Sequence, residues 1–102
     1  MNGATFRGGI LLILLLTLGG CVSAPVQEMS DARQAIRAAK AVGADALAPA
    51  KLSRAESFLD KAVIELESGT FQQARQDALS AWQWAVDARV SAVAARDAAR
   101  IR

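Results

Sequence analysis

The chain has no histidine and no tyrosine, a single cysteine and two prolines. Without histidine it lacks the commonest general base, the commonest metal ligand and the Ser-His pairing of many hydrolases. One cysteine forms no disulfide within a chain and no CxxC pair. β-branched runs and turn dipeptides are scarce, so strands find no support. Gly8-Gly9 and Gly19-Gly20 fall in the first twenty residues. Gly43 and Gly69 read as helix stops, which leaves no glycine-rich phosphate loop. No strong charge imbalance exists either. With Arg7 set aside, eleven Lys and Arg face ten Asp and Glu, so nucleic-acid binding has no electrostatic footprint. What remains is 102 residues that are 53% hydrophobic and 22% charged, too apolar for a disordered chain.

Met1–Gly20 reads as a secretory signal. One charge, Arg7, precedes the apolar run Ile10–Leu18, and small residues follow. The run is nine residues long, well short of the ~20 that a spanning helix needs. Leu18-Gly19-Gly20-Cys21 resembles the lipobox of bacterial lipoproteins. That resemblance implies diacylglyceryl transfer to the Cys21 sulfur, cleavage between Gly20 and Cys21, and acylation of the new amino group. The residue types fit the chemistry: a thiol is the nucleophile that accepts the lipid, and small residues let a peptidase approach the backbone. Two or three acyl chains, at ~0.8 kcal/mol per buried methylene, give stable membrane residence. Val22 follows the cysteine, where aspartate tends to retain a lipoprotein at the inner membrane. The resemblance therefore implies the outer membrane, with the domain facing the periplasm.

After a lipidated tether, residues 21–24, the expected domain covers residues 25–102. Alanine fills 22 of the 82 positions after Gly20 and is the best helix former. The expectation is an all-α, small three-helix antiparallel bundle with helices at about 25–42, 49–68 and 71–102. Pro25 and Pro49 suit first turns. Val26, Met29, Ala32, Ile36 and Ala39 make the first apolar stripe, and Gly43 caps its end. A link, residues 43–48, follows. Leu52, Ala55, Leu59, Ala62 and Leu66 make the second stripe, widened by Phe58 and Val63. The third helix starts with Thr70 and Gln73 spaced as a capping box. Its seam is Phe71, Ala74, Ala78, Ala81, Ala85, Ala88, Ala92, Ala95 and Ala99, a heptad repeat of alanine that asks for a closely packed partner helix. A second stripe, Leu79, Val86 and Val93, offers a surface for the first helix. At 1.5 Å per residue the third helix is ~48 Å long and the second ~30 Å, so about 18 Å should overhang from Ala92 onward.

No catalytic constellation is visible. The acids Glu56, Asp60, Glu65 and Glu67 could in principle work as a pair, but a solvated helix face accounts for them. No cofactor, metal ligand set or small-molecule substrate is expected, and the chain is read as a non-enzyme. The candidate interaction surface is Trp82, Trp84, Arg96 and Arg100. Trp82 and Trp84 flank the alanine seam, where they either shield a narrow helix contact or, with Trp84 the better candidate, face outward as an interface anchor. The basic end either complements the helix dipole or meets anionic partners.

Ala48-Pro49-Ala50-Lys51-Leu52-Ser53-Arg54-Ala55-Glu56, then Leu59, then Leu66 through Gly69-Thr70-Phe71 with Ala74-Arg75 and Ala78, is similar to small bacterial lipoproteins carrying the helical domain of unknown function 4398. The resemblance covers about Val26–Ala95. It implies a location and a shape, not an activity. The Gly-x-Phe-x-x-Ala turn also resembles one tetratricopeptide hairpin, whose open face the first helix would cover. Some relatives are fused to a peptidoglycan-binding domain of the outer-membrane-protein-A type, and cell-wall binding is not carried over to this chain. The leading expectation is a membrane-anchored envelope lipoprotein with a helical interaction or scaffold domain, partnered by the membrane through Cys21 and by an envelope protein or a second copy. The alternative is a structural spacer between outer membrane and cell wall that forms alanine-zipper homo-oligomers; the C-terminal Ile101-Arg102 lacks the lysine such a covalent link uses.

Overall fold

A computed structural model describes residues 23–101. The signal segment Met1–Gly20 and Cys21 lie outside the described residues. Four helices follow one another among the described residues: α1 (Val26–Ala41), α2 (Ala44–Leu47), α3 (Pro49–Glu67) and α4 (Phe71–Ile101). No strand occurs among the described residues, and the fold is all-α with a long C-terminal helix. Met29 of α1 clusters with Ala62 and Ala78, while Ile36 and Ala39 cluster with Leu52, Ala55, Ala85 and Ala88. This register makes α1 parallel to α4 and α3 antiparallel to both, an up-down-up bundle.

The core follows the alanine seam. Ala74, Ala78, Ala81, Ala85, Ala88 and Ala92 are fully buried on α4. Ala95 is half-buried and Ala99 exposed, because no other helix accompanies the last turns of α4. The alanine repeat is thus covered within the chain as far as Ala92. Few large side chains join it: Met29, Ile36 and Leu52 are buried, while Leu59, Val63 and Leu66 are partly so.

Several boundaries differ from the sequence expectation. Pro25 is the buried N-cap of α1 rather than its first helical residue. Its carbonyl accepts the first helical bond, from the Met29 N–H at 3.0 Å. Val26 is 66% exposed and drops out of the stripe. The link after Gly43 contains α2, one turn of helix, because Ala44 and Ala48 lie four apart and both join the core. Gly43 and Gly69 take the left-handed conformation, φ +88° and +78°. At the second, the Gly69 N–H donates to the Leu66 carbonyl at 3.1 Å and the Thr70 N–H to the Glu65 carbonyl at 2.9 Å, a Schellman turn. The capping box at Thr70 does not form. The turn brings the Thr70 hydroxyl to the Glu65 carbonyl, to which it donates at 3.0 Å.

Two polar ties hold the ends of the bundle in register. Lys51, near the start of α3, donates from Nζ to Ser91 Oγ of α4 at 2.7 Å. At the other end Arg75 of α4 reaches Glu28 of α1 at 3.2 Å and the Ser23 carbonyl at 2.9 Å.

Candidate functional site

The first helix presents two faces to α4. One carries Met29, Ala32, Ile36 and Ala39 into the core. The other carries Asp31, Gln34, Ala35 and Ala38, whose alanines are too short to reach across to the second stripe of α4. An open groove of about 840 Å³ results. Its α4 wall is Trp82, Val86, Arg89, Val90, Val93, Ala94 and Asp97. The floor is apolar and the rim holds Asp31, Arg89 and Asp97. Val90 is 62% exposed and Trp82 42%, so both leave apolar surface open to solvent at the groove.

The second stripe was expected to pack on the first helix. Instead Leu79 and Val93 are exposed and Val86 half-buried, since the facing side chains of α1 are small. The two tryptophans also exchange their expected parts. Trp84 packs against the Ile36–Leu52 core cluster, and the Arg54 guanidinium lies 4.8 Å from its ring centroid. That contact suits a cation over an indole face. Trp82 is the outward one, at the α1 side. Being two positions apart on a helix, the residues point to opposite flanks of the seam, and only the α3 flank is covered there. Arg96 and Arg100 are exposed on the overhanging end of α4 and do not line the groove. Arg89, Asp31, Ala35 and Ala38 were not singled out from sequence. For the three residues of α1 the signal was the i, i+3, i+4, i+7 spacing of residues 31, 34, 35 and 38, a second face on the first helix.

A smaller cleft of about 240 Å³ separates α1 and α3 and is lined by Arg33, Arg37 and Lys40 against Glu56 and Asp60. The Lys40–Glu56 pair spans it at 3.6 Å, and its charges are mutually compensated.

One pair of acids does meet. Glu65 of α3 faces Asp77 of α4, and Lys61 reaches Asp77 Oδ2 at 3.7 Å. Glu65 Oε2 is shut off from solvent and meets no donor. Beside the Asp77 carboxylate, the charged form of Glu65 is disfavoured. The hydrogen bond with Asp77 raises the Glu65 pKa above the usual carboxylate range, burial and the Asp77 charge add to the rise, and Lys61 opposes it. The pair lines neither of these two grooves. Its consequence is for stability. A carboxyl whose folded pKa is raised contributes fully below its unfolded pKa, and that contribution is lost as pH rises through the folded value. Glu65→Gln should therefore raise the thermal midpoint at pH 7, and the gain should shrink at pH 4, where wild-type Glu65 is already protonated. Equal gains at both pH values in thermal unfolding would rule out the raised Glu65 pKa.

No protein-family model, curated protein or solved structure matches the chain. No group of three or more potential metal-ligating side chains occurs among the described residues. No helix among them is long and apolar enough to cross a membrane.

Proposed function

We propose that the protein is a lipid-anchored envelope lipoprotein whose helical domain is a non-catalytic scaffold. The observation that carries this reading is Leu18-Gly19-Gly20-Cys21 at the end of a charged start and a nine-residue apolar run. Two features of the domain support it. The bundle begins almost at once after Cys21, with the Ser23 carbonyl already fixed by Arg75, so any lipid on that cysteine sits next to the folded body. The exposed apolar groove supplies a surface for a partner. Val22 in place of aspartate favours the outer membrane and a periplasmic domain. The spacer reading draws on Ala95 and Ala99, the part of the alanine repeat left uncovered, together with the neighbouring exposed apolar residues of α4.

Labelling with radioactive palmitate in a bacterial host tests the proposal. The wild-type chain should take up label and fractionate with membranes. Cys21→Ala should lose essentially all label and leave an uncleaved precursor. A wild-type chain that stays unlabelled, or a mature product still bearing Met1, overturns the anchor.

A further inference from the structure

Arg89, Val93 and Asp97 lie at i, i+4 and i+8 on one face of α4, and all three line the groove. Among the described residues neither Arg89 nor Asp97 takes part in an ion pair. A pattern of positive, apolar and negative at equal spacing is complementary to itself when reversed. We propose that the occupant of the groove is a second copy of this chain, docked antiparallel along α4 with a two-fold axis at Val93.

The register follows from the pattern. With Val93 against the partner's Val93, Arg89 lies opposite the partner's Asp97, and Asp97 lies opposite the partner's Arg89. An isologous contact repeats each pairing, so one interface gains two ion pairs. The same register brings the partner's Arg100 to Val86, beside the α1 wall that carries Asp31 and Gln34. The overhanging end of α4, with Ala95 half-buried and Ala99 exposed, then lies over the groove of the other copy. A parallel, in-register pair is disfavoured by the same charges, since it stacks Arg89 on Arg89 and Asp97 on Asp97. This inference rests on the scaffold reading only in naming the groove as a docking surface; it does not require the lipid.

Charge reversal tests both partner and direction. The full chain is purified in detergent, helix content is checked by circular dichroism, and association is measured by sedimentation equilibrium with the detergent density-matched. Wild type should dimerise. Arg89→Glu and Asp97→Arg should each weaken self-association about tenfold or more, because every substitution enters the interface twice. Their helix content should not change, since both residues lie at the surface. An equimolar mixture of the two variants should pair again, as should the double variant R89E/D97R. A strictly monomeric wild type would leave the groove to a different protein and overturn the proposal. A dimer indifferent to the reversals, or variants that fail to pair when mixed, would place the interface elsewhere and overturn it equally. Palmitate uptake is read separately, so loss of the anchor and loss of the dimer are distinguishable results.

Discussion

Ala85→Leu should lower the thermal midpoint by more than about 10 °C, whereas Ala99→Leu should leave it nearly unchanged. The two positions are equivalent in the heptad. Leucine is almost as good a helix former as alanine, so propensity does not separate them. The difference is cover. Ala85 is fully buried in a cluster with Ile36, Ala39, Leu52, Ala55 and Ala88, and three more carbons there force helices apart or side chains off rotamer. Overpacking of this kind costs about 1–3 kcal/mol, occasionally more. For a domain of this size each kcal/mol moves the midpoint by roughly 4–8 °C. Ala99 faces solvent, where changes stay within about 0.5 kcal/mol. Thermal unfolding followed at 222 nm decides the matter, and a small shift at Ala85 would mean that the alanine seam is not closely packed.

Leu52→Ala is expected to have the largest effect of any truncation in the bundle. Leu52 is 2% exposed and sits among alanines that cannot lean into the space it leaves. A buried leucine cut to alanine costs about 2–5 kcal/mol, towards the upper end where the site cannot collapse. A domain of some 80 residues holds only ~4–12 kcal/mol in all, at 0.05–0.15 per residue. The change therefore removes a third or more of the total. Leu79→Ala, an exposed leucine on α4, is the control. Urea midpoints for the two variants should differ plainly, and equal midpoints would show that Leu52 is not the side chain that fills the α1–α3–α4 junction.

The seam of α4 was legible because spacing of three and four is a property of the chain alone. Every alanine from Ala74 to Ala92 that the spacing selects is buried. The same arithmetic anticipated the bare end of α4, since helix lengths follow from breakers at Gly43, Pro49 and Gly69. Other features needed a neighbour to be known. Thr70 and Gln73 have the capping-box spacing, yet the turn at Gly69 places the Glu65 carbonyl within reach of the hydroxyl first. Trp82 and Trp84 were legible as opposite flanks, but which flank is covered depends on whether α1 or α3 lies there. The groove exists because Ala35 and Ala38 are short where the second stripe of α4 needs length, a mismatch between two segments that no single helix reveals. Glu65 and Asp77 meet across two helices, so no periodicity within one of them could link the acids.

Arg75 fastens the Ser23 carbonyl to the beginning of α4, which has a consequence for standing orientation. If Cys21 carries the proposed lipid, only Val22 separates it from Ser23, a leash of roughly 7 Å at full stretch. On that proposal the head of α4 stays near the lipid headgroups, and an upright monomer aims its tail away from them, about 46 Å out. In the proposed antiparallel dimer the two leashes stand at opposite poles, roughly 66 Å apart on the helical rise. Such a couple has no upright stance on a single leaflet. It reclines along one bilayer with both fatty anchors inserted, or it holds two facing sheets of lipid at a set separation.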